Sequence, residues 1–376
     1  MGNGEMSSRA RMKAALMLGE VDRVPVVLHG VDPYNEEGWM AKDPTYKPLL
    51  DYVRRNCPGL WHGWSPDMGV FLSAAKIKSK GDSYTEGEHE INKHTIETPK
   101  GPLTSVHRRR IGYPFRLVKP YIIDEEDIDK FLSIPYEPLK PEVTSFFKEE
   151  RKLGDKGMIS TSAPEPLGMV APLFHYESFV LRSLSEKDVI IELLDIMYER
   201  CREYLENLLN HGVTTPVFWL VGPEYAAPPV FSPAYFEEFV VKYDAKLIRL
   251  TRKYGAQTII HCHGSVNAIL EKIASMRPSG LHPVEPPPLG DTPLSEAKKR
   301  IGDKVCLVGN IDIGDILTSS SEEMDKKVRM AIQEGGPRGL ILSTSASPHW
   351  PSLPKKAFQN YVQLIESGLK YGKILT

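Results

Sequence analysis

Two histidines separated by one residue stand at the end of an apolar run, in the segment QTIIHCHGSV at residues 257–266. If that run is a β-strand, His261 and His263 point to one face and Cys262 to the other. Two imidazoles on one face, joined by a carboxylate, can supply the three protein ligands of a catalytic zinc site. Glu224 follows the preceding apolar run and is the candidate carboxylate. We therefore predict that Glu224, His261 and His263 are catalytic and bind zinc.

The strands that position these residues alternate with amphipathic helices. Alternation at this spacing is typical of βαβ units and a parallel sheet, and eight such strands close a barrel. No GxGxxG motif follows an early strand, which disfavours an open doubly wound sheet. The fold class is therefore α/β: we predict a single-domain (β/α)8 TIM barrel over residues 1–376, with a β-hairpin excursion inserted near residues 83–120. Eight strands are predicted, at residues 24–30, 59–65, 157–163, 216–221, 256–263, 280–286, 304–310 and 339–346.

The active site of such a barrel lies at the carboxyl ends of its strands. Polar residues stand at or just after several of the predicted ends, and we expect them to bind the substrate. His282 and Glu285 lie three residues apart on one predicted strand, so at most one of them is expected to point inward. The residues predicted to bind substrate are His29, Glu165, Glu285, Asn310 and His349.

Composition excludes several classes of function. A net charge of −2 and a sequence pI near 6.6 provide no basic surface for nucleic acid. The four cysteines lack CxxC spacing, which favours a reducing compartment. Neither a signal-peptide core nor an apolar run of about 18 residues is present. We expect a cytoplasmic, soluble protein that binds neither nucleic acid nor membrane.

Several segments resemble the uroporphyrinogen decarboxylase superfamily, and this resemblance implies a (β/α)8 barrel. True uroporphyrinogen decarboxylases carry an RQAGRY-type segment near the start, whose arginines bind the carboxylates of the substrate. The corresponding segment here, LHGVDPYNEEGW at residues 28–39, has no arginine. The segments that carry the resemblance are VDRVPVVLHG (21–30), FSPAYFEEFVVKYDAKLI (231–248), HCHGSVNAILEKI (261–273), PVEPPPLGD (283–291), AKKRIGDKVCLVGNID (297–312) and GGPRGLILSTSASP (335–348).

The chain is more similar to the cobalamin-dependent methyltransferases of that superfamily. Those enzymes bind zinc through an HxC pair and a later cysteine. His261 matches the histidine, but His263 replaces the first cysteine and STSASP at 343–348 has none. The resemblance implies a zinc methyltransferase that moves a methyl group between a small substrate, with an O-methyl compound as one candidate, and a corrinoid on a partner protein. It also implies a homodimer.

Two other functions are compatible with the same residues. A decarboxylase or other lyase could act on a small carboxylic acid, with His261 and Glu224 donating and accepting protons. A barrel that only binds a ligand or partner is the third alternative, since a fold by itself does not establish chemistry.

Overall fold

The structure is a computed structural model that describes residues 5–111, 113 and 115–374. Its strands form one parallel sheet and one antiparallel sheet. The strands are β1 (Val26–Val27), β2 (Trp61–Gly63), β3 (Ser79–Glu86), β4 (His89–Thr98), β5 (Gly101–Arg110), β6 (Arg116–Lys119), β7 (Met158–Ala163), β8 (Val217–Val221), β9 (Gln257–His261), β10 (Gly280–His282), β11 (Cys306–Ile311) and β12 (Leu340–Thr344).

The parallel sheet has eight strands in the order β1-β12-β11-β10-β9-β8-β7-β2. Each pairs with its neighbour in parallel, for example Leu220 with Ile260 between β8 and β9. Within the described residues no ladder joins β1 to β2, so the barrel is nearly closed. Each of these strands coincides with one of the eight predicted segments, and β11 extends one residue beyond its segment, to Ile311. The predicted (β/α)8 barrel is confirmed.

The helices follow the strands as the sequence pattern predicts, with one irregularity. Between β8 and β9, a π-helical turn at Glu237–Val241 separates two α-helical segments, Pro233–Phe236 and Lys242–Lys253. Across the described part of the chain, no helix is both long and apolar enough to span a membrane. The helices are α1 (Ser8–Leu16), α2 (Trp39–Lys42), α3 (Lys47–Asn56), α4 (Glu125–Leu132), α5 (Thr144–Leu153), α6 (Pro166–Val170), α7 (Tyr176–Ser185), α8 (Lys187–Asn210), α9 (Pro233–Phe236), α10 (Lys242–Lys253), α11 (Leu270–Met276), α12 (Leu294–Ile301), α13 (Ile313–Thr318), α14 (Ser321–Gly335) and α15 (Lys355–Tyr371).

Alternate residues of the barrel strands build the core inside the barrel. Val217 and Trp219 of β8 point inward, as does Ile259 of β9, and side chains of α1 pack against the same cluster. Because side chains alternate along a strand, the next inward residue of β9 after Ile259 is His261. The barrel interior therefore changes from apolar to polar near the carboxyl ends of its strands.

The described residues divide into two compact units. The first comprises Met1–Pro66, Val143–Ala163 and Gly212–Thr376 and contains the barrel strands. The second comprises Asp67–Glu142 and Pro164–His211 and contains an antiparallel sheet in the order β3-β4-β5-β6. The predicted hairpin excursion is therefore present, but it has four strands instead of two. The single-domain organisation stays a prediction.

Candidate functional site

Three histidine rings pack together where strands of the barrel end. His261 is the last residue of β9 and lies in register with His282, the last residue of β10. Their ring centroids are 5.0 Å apart and the ring planes differ by 17°. His29, just after β1, packs against both of them, with its ring centroid 4.6 Å from that of His282 and 5.9 Å from that of His261. We call His29, His261 and His282 the histidine stack.

The hydrogen bonds of the stack define which ring nitrogens carry protons. Nε2 of His282 lies 3.1 Å from the carbonyl oxygen of Thr344, which can only accept, so this nitrogen donates. Burial lowers the pKa of His282 well below the usual histidine value, so the ring is neutral and its Nδ1 is an acceptor. Nδ1 of His261, 2.9 Å away, must then be the donor. The lone pair of His261 is consequently on Nε2.

The other rings of the stack are also neutral near neutral pH. Burial, with a smaller contribution from the nearby His263, lowers the pKa of His29 to about 4. Burial likewise lowers the pKa of His261 to about 3, with smaller contributions from His263 and His29. A neutral imidazole can accept a proton or coordinate a metal. It cannot provide a positive charge for a bound carboxylate.

His263 lies beside the stack, and its pKa is shifted in the opposite direction. Its ring meets that of His261 nearly at right angles, with centroids 4.7 Å apart. Its Nδ1 lies 3.1 Å from Oε1 of Glu285, whose Oε2 accepts the backbone N–H of Gly264 at 2.8 Å. Burial alone would lower the pKa of His263, but the hydrogen bond and charge of Glu285 outweigh it and raise the pKa. The two predicted ligand histidines therefore come together, but the pKa of His261 is lowered and that of His263 is raised.

The expected opposite orientation of His282 and Glu285 is wrong. The alternation argument does not apply to this pair because β10 ends at His282 instead of continuing to residue 286. Both side chains reach the HxH segment, since His282 bonds to His261 and Glu285 bonds to His263. The carboxylate hydrogen-bonded to an HxH imidazole is thus Glu285.

Glu224 lies in the turn Pro223–Ala226 after β8. Burial raises its pKa, and its Oε2 accepts the backbone N–H of Gly222 at 3.2 Å. Among the residues that the structure describes, no three His, Cys, Asp or Glu side chains are arranged to hold one metal ion. The imidazoles of His261 and His263 provide nitrogen donors, and Glu224 interacts electrostatically with His263, but these three described side chains do not form a metal-holding group. The described side chains therefore do not fit a complete three-ligand site, and zinc stays a prediction.

The remaining residues predicted to bind substrate have separate surroundings. Glu165 is the N-cap of α6, where its carboxylate oxygens accept the backbone N–H groups of Leu167 and Gly168. Asn310 of β11 lines a cavity of about 220 Å³, and no histidine of the stack lines that cavity. His349 is exposed and its ring lies 5.5 Å from that of Trp350. Their roles in substrate binding stay predictions.

A cavity of about 320 Å³ opens beside the histidine stack. Trp61 of β2 and Trp219 of β8 form part of its wall, and their rings meet edge to face with centroids 5.9 Å apart. These tryptophans could not be predicted as site residues from the sequence, because an inward Trp on a barrel strand also fits an ordinary core position. We call this space the tryptophan cavity. Its lining residues are His29, Gly30, Asp32, Asn35, Trp61, Gly63, Trp64, Ser65, Ser160, Thr161, Ser162, Trp219, Val221 and His261.

Comparison with known families and structures agrees with this fold. The model of the uroporphyrinogen decarboxylase (URO-D) family matches residues 117–367, which is more than half of the chain. A methyltransferase from Methanosarcina mazei superposes with a TM-score of 0.60 at 18% identity, covering 98% of this chain and 99% of its own. At that identity the similarity shows the fold alone.

Two curated relatives represent both branches of the family. The methylcobamide:CoM methyltransferase MtaA of Methanosarcina barkeri is 28% identical over 201 residues, 53% of this chain and 56% of the relative. The uroporphyrinogen decarboxylase of Trichodesmium erythraeum (strain IMS101) is 31% identical over 114 residues, 30% of each chain. The chain thus aligns with little more than half the length of the first relative and less than a third of the second.

Proposed function

Because the chain belongs to the uroporphyrinogen decarboxylase family, we propose that it is a methyltransferase of that family. The methyl group would move between a small substrate in the tryptophan cavity and a corrinoid held by a separate protein. The similarity to MtaA of M. barkeri, a methylcobamide:CoM methyltransferase, supports this proposal over 53% of the chain. The observation that carries the proposal is the absence of cationic side chains from the described lining of the cavity.

The absence of Arg and Lys from the described lining distinguishes decarboxylation from methyl transfer. A porphyrinogen or a small carboxylic acid needs Arg or Lys as a charged partner, since carboxylates bind most strongly to such donors. The described lining contains neither residue type, and its histidines, His29 and His261, are neutral. A methyl donor without negative charge has no such requirement. Methyl transfer is therefore favoured over decarboxylation.

His261 is the residue that we expect to act on the substrate. It lines the cavity and presents an unprotonated Nε2, because its Nδ1–H is bonded to His282. In this state it can accept a proton from the substrate or orient a polar group beside the methyl group. Glu224 and His263 remain the other proposed catalytic residues, and an O-methyl compound remains a proposed substrate.

Methyl transfer can be measured with the purified protein and a reduced corrinoid protein, or with free reduced cobalamin. Small methylated compounds are added, and methylation of cobalt is followed by its visible spectrum. Transfer should occur with the unmodified chain and with His211→Ala, whose side chain is exposed at the end of α8. It should fall by roughly 10²-fold or more in His261→Ala if the imidazole acts as a general base. No transfer to any corrinoid protein would refute the proposal.

Zinc binding is tested separately by elemental analysis of the protein after expression with added zinc. About one zinc per chain, lost in the His261→Ala, His263→Ala double variant while the fold persists, would support the predicted ligands. No metal in either protein would assign both histidines to proton transfer or substrate binding. A cytoplasmic location and a homodimeric assembly also stay predictions.

A further inference from the structure

The tryptophan cavity is bounded by aromatic rings on several sides. Trp61, Trp64 and Trp219 line it, and each is only 6% exposed. The ring of His29 lies 5.0 Å from that of Trp219. The indole of Trp64 is fixed in place, since its Nε1 donates to Oγ of Ser145 at 3.1 Å. The cavity is therefore lined by three buried indoles, of which that of Trp64 is held by a hydrogen bond.

Asp32 is the one carboxylate among the described residues that line this cavity. Its Oδ2 lies 2.8 Å from Nδ1 of His62, and its Oδ1 accepts the backbone N–H of Tyr34 at 3.0 Å. The same histidine also lies 3.4 Å from Oε2 of Glu149. One imidazole is thus shared by two carboxylates. With both carboxylates ionised, the group has a net negative charge whether His62 is protonated or neutral.

We propose that the tryptophan cavity binds a small methylated ammonium cation. The negative face of an aromatic ring attracts a cation, Trp most strongly, and aromatic cages recognise quaternary ammonium groups in this way. Asp32 adds an ionic attraction that an uncharged compound would not feel. A volume of about 320 Å³ is at the small end of ligand pockets, which suits a compact cation.

This inference deepens the proposed function and rests on it for the role of the bound cation as methyl donor. In the transfer, the N–CH3 bond breaks and its electron pair stays on nitrogen, which leaves as a neutral amine. The methyl group forms its new bond with the electron pair of the reduced corrinoid that the partner supplies. No proton has to move when the methyl donor is such a cation, so His261 would then orient the substrate instead of acting as a base, and a neutral histidine stack is compatible with the step.

Two ligands of equal shape and different charge test the site directly. Choline and its neutral carbon analogue 3,3-dimethylbutan-1-ol are titrated against the protein, and tryptophan emission is recorded. Replacing Trp39 and Trp350 with Phe leaves the tryptophans of the cavity as the emitting residues. Choline should bind about tenfold more tightly than the neutral analogue, as expected for a desolvated cation against indole faces. Equal affinities would overturn the proposal.

Variants locate the binding and provide controls. Asp32→Asn should weaken choline binding several-fold and leave the neutral analogue unchanged. Asp315→Asn removes a carboxylate that lines a different cavity and should change neither affinity. Trp219→Phe keeps an aromatic ring and should retain most of the affinity, whereas Trp219→Leu should lose it. Choline binding that is unaffected by Asp32→Asn and Trp219→Leu would place the cation elsewhere and refute the site.

The outcomes for the site and for the function are distinguishable. Selective choline binding without methyl transfer to any corrinoid would retain the cation site and refute the proposed function. Methyl transfer from a neutral methyl ether, with no preference for choline over its analogue, would retain the function and refute the cation site. Tighter binding of benzoate than of choline would also refute the cation site, since it would show that the cavity prefers negative charge.

Discussion

Replacing His29 with Gln tests whether the histidine stack is held neutral. Burial lowers the pKa of His29 to about 4, whereas a histidine in an unfolded chain titrates near 6.5. Between these values the unfolded chain binds a proton at His29 that the folded chain does not bind. Stability rises with pH wherever the unfolded state binds more protons. The contribution of His29 is thus complete above about pH 6.5, falls as the pH is lowered, and levels off below the folded pKa.

The shift of the His29 pKa determines how strongly this residue makes the stability depend on pH. A lowering of roughly 2.5 pKa units corresponds to about 3 kcal/mol across the whole window, at about 1.4 kcal/mol per unit. Of this, about 2 kcal/mol lies between roughly pH 7 and pH 5, where most unfolded histidines become protonated. Gln has no titrating group, so the His29→Gln variant should lose about 2 kcal/mol less stability than the unmodified protein over the same interval.

Urea unfolding followed by far-ultraviolet circular dichroism measures this difference. The quantity to compare is the loss of unfolding free energy between the two pH values, because Gln also changes packing and shifts the absolute stability. His349→Gln is the matched control: its ring is exposed, and the loss should equal that of the unmodified protein. If His29→Gln showed the same loss as the unmodified protein, His29 would not be a buried neutral group.

Three further predictions concern single hydrogen bonds. Glu285→Gln should lower the pKa of His263, followed by NMR titration of the ring, because it removes the charge that raises it; an unchanged midpoint would contradict the pairing. His282→Asn keeps an acceptor for the Nδ1–H of His261, whereas His282→Leu removes it. Nitrogen-15 spectra should show the Nδ1–H tautomer in the unmodified and Asn proteins only, and an Nε2–H tautomer in the unmodified protein would refute the assignment. Glu165→Ala should cost about 1 kcal/mol of unfolding free energy by removing the cap of α6. No loss of stability would show that the cap does not stabilise the fold.

The barrel could be predicted from the sequence because its signals are local. An apolar run bounded by turn residues and followed by an amphipathic helix indicates one βα unit without knowledge of the rest of the chain. The strand ends were less predictable. GLHPVEP was expected to be a strand through residue 286, but Pro283 has no N–H group to donate to a ladder, and β10 ends just before it.

The candidate site was predicted in part. The HxH spacing placed His261 and His263 together, and their rings are adjacent even though His263 lies beyond β9. The partners of these histidines could not be predicted, because His282 and Glu285 reach them through tertiary contacts between neighbouring strand ends. Glu224 was predicted as the carboxylate only because it follows the strand that precedes the HxH strand in the sequence. In the structure, the carboxylate hydrogen-bonded to His263 is that of Glu285.

The register of the barrel supports the proposal that charge decides what the cavity accepts. Trp219 pairs with Ile259, and Val221 pairs with His261, so the indole of β8 lies one inward layer below the imidazole of β9. A substrate that enters past the strand ends therefore meets neutral imidazoles first and indole rings beneath them. Neither group can compensate a negative charge, and the one described lining carboxylate, Asp32, would repel it. The same three features stabilise a positive charge, so the geometry that disfavours a carboxylic acid is also the geometry that favours an ammonium ion.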